Sequence, residues 1–165
     1  MIKVDVRQAT AEDLEQLVAR EPNPARQLLE RERFAAQERG ECALLIAWEG
    51  DDVRGRVRFR YWSKYVEVID ELGEFPEINA LDAWPTGGGV GSQIIAACEE
   101  LARQRGDEMV GIGVEIVNVD ARRLYERLGY EFWGDVIDEW SELDADGNVA
   151  KVHHDPCVYL VKNMS

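Results

Sequence analysis

No apolar run in this chain approaches the length of a membrane span, and the opening "MIKVDVRQ" has no apolar signal-peptide core. Cysteine is scarce. Cys42, Cys98 and Cys157 are widely scattered, with no C-x-x-C pair, which excludes a disulfide framework or a zinc knuckle. They read as small buried hydrophobes in a reducing cytoplasm. Positive charge is also short: 19 Lys and Arg face 33 Asp and Glu, a net charge of −14. Such a chain repels phosphate backbones and anionic lipid, which excludes nucleic acid and membrane surfaces as partners. No repeat and no linker interrupts the 165 residues, so 1–165 reads as one domain, a monomer or homodimer.

What is present is alternation and helical periodicity. Ile2, Val4 and Val6 alternate as a half-buried strand, and Thr10 with Asp13 forms a capping box before Leu14, Leu17 and Val18. A charge-rich helix over 25–39 follows the breaker "EPNP", then "CALLIAW" and "VRGRVRFRYW" form a hairpin across "EGDD". Residues 63–76 read as irregular and acidic, with one helical turn. "EINALDAW" is a further strand, and Ser92 to Arg105 a helix ended by Gly106. "MVGIGVEIV" runs as a strand to Asn118, a helix fills 119–128, and "YEFWGDVIDEW" and "CVYLVKN" close the chain around "DADGN". This order describes an α/β protein, a mixed sheet with helices on both faces.

Gly87, Gly88, Gly89 and Gly91 crowd the junction between "EINALDAW" and the next helix. Glycine carries a large entropic cost, and one or two would suffice for a tight turn. At a helix N-terminus, side-chain-free N–H groups suit a phosphate. A Walker A loop fails, because Ser92 and Gln93 follow Gly91 instead of Lys and Ser/Thr. A Rossmann fingerprint begun at Gly87 ends on Ser92, and several strands precede it.

A third phosphate loop fits. Thr86-Gly87-Gly88-Gly89-Val90-Gly91 matches Q/R-x-x-G-x-G/A in all but its first position. One helix and one strand later come Asn118, Ala121, Leu124, Tyr125, Glu126, Leu128, Gly129 and Tyr130. Together these resemble the GNAT superfamily of acyl-CoA-dependent N-acyltransferases. The resemblance implies a central mixed, mostly antiparallel sheet of about seven strands flanked by about four helices. It also implies acetyl-CoA as co-substrate and direct transfer to an amine in a ternary complex. Thr86 departs from the family's Arg or Gln, and no Lys or Arg lies between Lys64 and Arg103. Backbone N–H groups and the helix dipole must then meet the pyrophosphate.

Carried over residue by residue, the resemblance makes Glu77 the base, the Leu81 N–H the donor to the thioester carbonyl, and Tyr125 the acid to the thiolate. Ala83 aligns with the pantetheine arm. Thr86, Gly87, Gly88, Gly89, Val90, Gly91 and Ser92 hold the pyrophosphate, and Asn118 lies near the thiol. Strand alternation sets Glu77 on one face with Asn79, Leu81 and Ala83, and the rival carboxylate Asp82 on the other, where it needs a polar neighbour. A plain reading stands beside each: Glu77 as an exposed carboxylate where its strand begins, Tyr125 as a core aromatic, Asn118 as a helix N-cap.

Adjacent His153 and His154 diverge on a strand and do not make a metal site with Asp155 and Cys157; no metal is expected. The stripe Arg54, Arg56, Arg58 and Arg60 reads as a face paired with surplus acids. Acids over 135–150 and 65–77, without a base among them, surround the acceptor entrance. They imply a small cationic amine such as an aminoglycoside, a polyamine or an amino-acid derivative, with anionic amines such as glutamate poor acceptors. A protein N-terminus or lysine, or a non-catalytic acyl-CoA-binding module, are the alternatives.

Overall fold

The computed structural model describes residues 1–164. Its strands are β1 (Asp5–Gln8), β2 (Cys42–Glu49), β3 (Asp52–Arg60), β4 (Glu77–Ala83), β5 (Met109–Glu115), β6 (Glu131–Leu143) and β7 (Val149–Asn163). The helices are α1 (Ala11–Ala19), α2 (Pro24–Glu38), α3 (Val66–Leu72), α4 (Val90–Arg105) and α5 (Val119–Arg127). All seven strands form one sheet in the order β1-β2-β3-β4-β5-β7-β6, antiparallel except where β4 meets β5. The mixed α/β fold read from the sequence is therefore present, with five helices where about four were expected. The fifth is α3, inside the stretch read as irregular.

Alternation builds the layers. Along β2, Ala43, Leu45 and Ala47 join the main core under α4, with Ile94, Ile95, Cys98 and Ala102. Leu44, Ile46 and Trp48 point the other way, against Leu17 of α1 and Phe34 of α2. A strand buried on both faces needs an unbroken apolar run, which is what "CALLIAW" supplies. Burial of each such side chain contributes about 1.5–3 kcal/mol. A smaller core of Tyr65, Val68, Phe75, Val136, Cys157 and Tyr159 packs α3 against the last two strands.

Helix ends follow local chemistry. Thr10 and Asp13 form the capping box on α1, and Gly106 ends α4 at φ 79°. Helix α4 begins two residues before the expected Ser92, because Gly89 at φ 83° already turns the chain into it. Strand β5 stops at Glu115, earlier than expected, since Asn118 caps α5. The start of the chain is pinned rather than free. Ile2 N donates to Gly88 O at 3.0 Å, and the Gln93 side chain accepts from Val4 N at 3.0 Å.

Candidate active site

Two interruptions in the sheet open the site. Strands β4 and β5 pair only at Glu77–Gly111 and Ile78–Ile112, and beyond these they part. On its other side, β4 jumps register against β3 between Asn79 (opposite Arg58) and Asp82 (opposite Arg56). Within that jump sits Ala80 at φ 53°, a left-handed conformation uncommon for a residue with a side chain. This is a β-bulge, the device that re-aims a strand beside a functional site.

The bulge corrects the strand faces expected from simple alternation. Leu81 and Ala83 pack with Ile78 on the α4 side. Asp82 instead joins the face of Glu77 and Asn79, where Arg56 Nη1 meets its carboxylate at 2.9 Å. The extra residue flips everything after it. The polar neighbour demanded of Asp82 is Arg56.

Where β4 and β5 part, a cleft of about 660 Å³ passes through the sheet. Asn79, Ala80 and Leu81 form one jamb, and Ile112 to Glu115 the other. Asn118 and Tyr125 line it from α5; Glu32 and Arg33 of α2, Arg58, Lys64 and Tyr65 line it elsewhere. Asp138, Trp140, Ser141 and Leu143 of β6 close it. Three of the expected site residues, Leu81, Asn118 and Tyr125, thus meet in one space.

Tyr125 is buried, its ring edge-on to Tyr130 at 6.5 Å. Burial, with a smaller push from the charge of Asp82, raises its phenol to about 12, so it stays protonated through the neutral range. Asn118 is the N-cap of α5, accepting from Ala121 N at 3.2 Å. The cap engages only its carbonyl oxygen.

Glu77 is placed differently. It is fully buried and absent from the cleft lining. Oε1 accepts from Ser63 Oγ at 2.6 Å and from Tyr159 OH at 2.9 Å, and Oε2 from Lys64 N at 3.2 Å. Burial pushes its carboxyl above the usual range although these donors favour the charge. The plain alternative, an exposed carboxylate where the strand begins, is not what is found. Gly111 of β5 makes the arrangement possible, because a Cβ there would stand 2.0 Å from the Tyr159 hydroxyl oxygen.

The glycine loop lies beside the cleft and contributes none of its lining residues; Ala83 is likewise outside it. Thr86 is exposed, Val90 buried, and Ser92 half-buried in the first turn of α4. Gly87 and Gly89 have φ of 77° and 83°, so the turn itself demands them. Gly91 has no such demand. A Cβ there would meet only Leu124 Cδ2, at an ordinary 3.8 Å. Helix α4 also has no side-chain cap, leaving its N-terminus to the backbone. A glycine the protein does not itself require, at an uncapped helix start, fits a pyrophosphate held by backbone N–H groups. Leu124 links this loop to its neighbour Tyr125.

The cleft is less acidic than the two acidic stretches imply. Of the acids in the two expected stretches, only Asp138 lines it, and Lys64 pairs with that residue. Glu32, Glu115 and Asp138 are balanced there by Arg33, Arg58 and Lys64, so the lining is mixed rather than acidic. Arg54 and Arg56 of the arginine stripe do pair with acids, but Arg58 pairs with Asn79. The stripe was visible in the sequence; which member faces the cleft depends on the bulge. Cys157 also lines the cleft, its thiol pushed up to about 11 by burial. His153 stacks on Trp140 at 4.1 Å.

The acetyltransferase (GNAT) family profile matches residues 10–130, most of the chain. The protein belongs to that family of acetyltransferases, enzymes that use acetyl-CoA as co-substrate. No curated protein shows a sequence match. Among similar solved structures is a ribosomal-protein-alanine N-acetyltransferase from Brucella melitensis, 19% identical, covering 96% of this chain and 99% of its own, with a TM-score of 0.68. A Salmonella typhimurium protein solved with its cofactor acetyl-CoA is 16% identical over 99% of this chain and 95% of its own, TM-score 0.64. The polyamine N-acetyltransferase of Drosophila melanogaster is 16% identical over 98% and 100%, TM-score 0.66. At these identities the likeness is one of fold. Among the described residues, no helix is long and apolar enough to cross a membrane.

Proposed function

We propose that this protein acetylates a primary amine of a small molecule by direct attack in a ternary complex. The observation that carries the reading is the single cleft through the β4–β5 opening, with Leu81, Asn118 and Tyr125 together on its walls. Bound acetyl-CoA supplies an acyl thioester, its pyrophosphate at the Gly87–Ser92 loop and its arm beside Ala83. Leu81 lies where β4 has no partner on β5 and has just left register with β3. Its N–H is the donor we assign to the thioester carbonyl. Tyr125, protonated at neutral pH, donates to the leaving thiolate.

The amine must arrive as, or become, the free base. Glu77 accepts three hydrogen bonds away from the cleft lining, so we give it a positioning role: it holds the turn that presents Lys64 and Tyr65. The proton passes instead through water to Glu115, a cleft carboxylate with no ion-pair partner among the described residues. Cys157 remains a thiol at neutral pH, which favours direct transfer over an acyl-cysteine relay. The net charge of −14 draws cationic amines toward the protein, the basis for a cationic acceptor. Release of free CoA from acetyl-CoA across a panel of small amines, amino acids and peptide N-termini tests the reading. Hydrolysis no faster with any amine than without would leave a non-catalytic acyl-CoA-binding module.

A further inference from the structure

The acceptor side of the cleft carries one half-buried cation, Arg58, that forms no ion pair among the described residues. Glu30 takes Arg56 at 2.9 Å and also Arg33, Asp82 takes Arg56 at 2.9 Å, and Asp138 takes Lys64. Arg58 has none of these. Its Nη2 donates to the neutral Asn79 Oδ1 at 3.1 Å, and its buried Nε has no hydrogen-bond partner among the described residues. The acids whose charge reaches it are committed elsewhere: Glu77 to Ser63, Lys64 and Tyr159, and both Glu32 and Glu41 to Arg39. A guanidinium does not escape by deprotonation, so the charge persists. A half-buried cation whose buried Nε donor is idle is costly unless an acceptor completes it, and an anion does so best.

Its position relates it to the reaction. Arg58 lies opposite Asn79, two residues before Leu81 on β4, about 7 Å or less along the strand. Arg33, itself largely buried at 18% side-chain exposure, lines the same cleft from α2.

Building on the acetyl-transfer reading above, we propose that Arg58 binds a carboxylate carried by the acceptor, so that the substrates are amines of amino-acid type. The field of the whole protein draws the ammonium end, and Arg58 fixes the anionic end while the amine points to the opening at Leu81. Charge-assisted hydrogen bonds of this kind are short and directional, and guanidinium is well matched to carboxylate. Simple polyamines lack the group that would neutralise Arg58.

The test uses matched pairs: arginine and agmatine, ornithine and putrescine, tyrosine and tyramine, with each amino acid also supplied as its carboxamide. Free CoA is measured for the wild type, Arg58→Gln and Arg58→Lys. For every pair that turns over, the carboxylate member should have the higher kcat/KM by about 10- to 100-fold, the worth of one or two hydrogen bonds to a charged group. In Arg58→Gln that ratio should fall toward one, chiefly through KM, and Arg58→Lys should restore part of it. Decarboxylated or carboxamide acceptors equal to the acids in the wild type would overturn the proposal. So would an Arg58→Gln protein that keeps the ratio.

Binding gives a second readout that does not need turnover. With acetyl-CoA present, the amino acids should raise the Tm of the wild type but not of Arg58→Gln. A carboxylate-dependent rise without CoA release keeps this site and overturns acetyl transfer. CoA release from amines with no carboxylate-dependent rise does the reverse.

Discussion

Replacing Glu77 by glutamine separates a buried positioning carboxylate from a catalytic base. The carboxylate takes two donors on Oε1, Ser63 Oγ and Tyr159 OH, and one on Oε2, Lys64 N. A glutamine can keep its oxygen toward the two hydroxyls, but its NH₂ then faces the Lys64 N–H. One buried backbone donor loses its acceptor, at about 1–3 kcal/mol. For a domain of this size each kcal/mol moves Tm by about 2–4 °C, so a fall of roughly 2–12 °C is expected. Glu77→Ala strands all three donors and opens a void, and should cost about 3–5 kcal/mol. The pH dependence carries a further sign. Because burial raises the carboxyl in the folded state, the unfolded chain gives up this proton first as pH rises. Wild-type stability therefore loses this contribution from the ordinary glutamate range up to the raised value, and Glu77→Gln should lack that slope. Thermal melts from pH 4 to 8, with kcat profiles on one acceptor, make the comparison. The kcat of Glu77→Gln should fall less than about 10-fold with the profile's shape kept, since a positioning role moves no proton. An unchanged Tm together with a lost acidic limb would show that Glu77 takes the amine's proton after all.

Tyr125→Phe keeps the ring's packing against Tyr130 and removes the proton donor, so kcat should drop by about 10²-fold at unchanged Tm. Wild-type turnover would leave Tyr125 a core aromatic. A Cβ at position 91 meets only Leu124 at 3.8 Å, so Gly91→Val should still fold, with a modest loss from its two further methyls. It should yet lose the stabilisation that saturating acetyl-CoA gives the wild type, about 4 kcal/mol at a thousandfold excess over Kd. Full stabilisation of the variant would move the pyrophosphate elsewhere. Gly111→Ala places a Cβ 2.0 Å from the Tyr159 hydroxyl oxygen that bonds Glu77, and should lower stability by about 3 kcal/mol in a chemical denaturation. A neutral result would mean that Tyr159 can move away freely.

The order of elements was legible in the sequence because each signal is local. Apolar runs buried on two faces, Thr10 with Asp13, and glycines ending helices act within a few residues of themselves. So was the glycine turn into α4, since it needs only glycines beside a helix start, and the family followed from the spacing of two motifs. The stretch 63–76 was misread because α3 is held by Val68 packing with Tyr65 and Phe75, contacts with no short-range pattern. The site's interior was decided by tertiary structure alone. A single extra residue at Ala80 exchanges the faces of Leu81 and Asp82, and a period-two reading cannot detect it without the partner strand's register. Likewise the glycines at 111 and 113 gain meaning only from the tyrosines, 159 and 65, that press against them. Net charge is a sum over the chain, whereas the charge of a cleft depends on which side chains the fold turns inward. That is why an acidic protein lines its cleft with as many bases as acids, Arg33, Arg58 and Lys64 beside Glu32, Glu115 and Asp138.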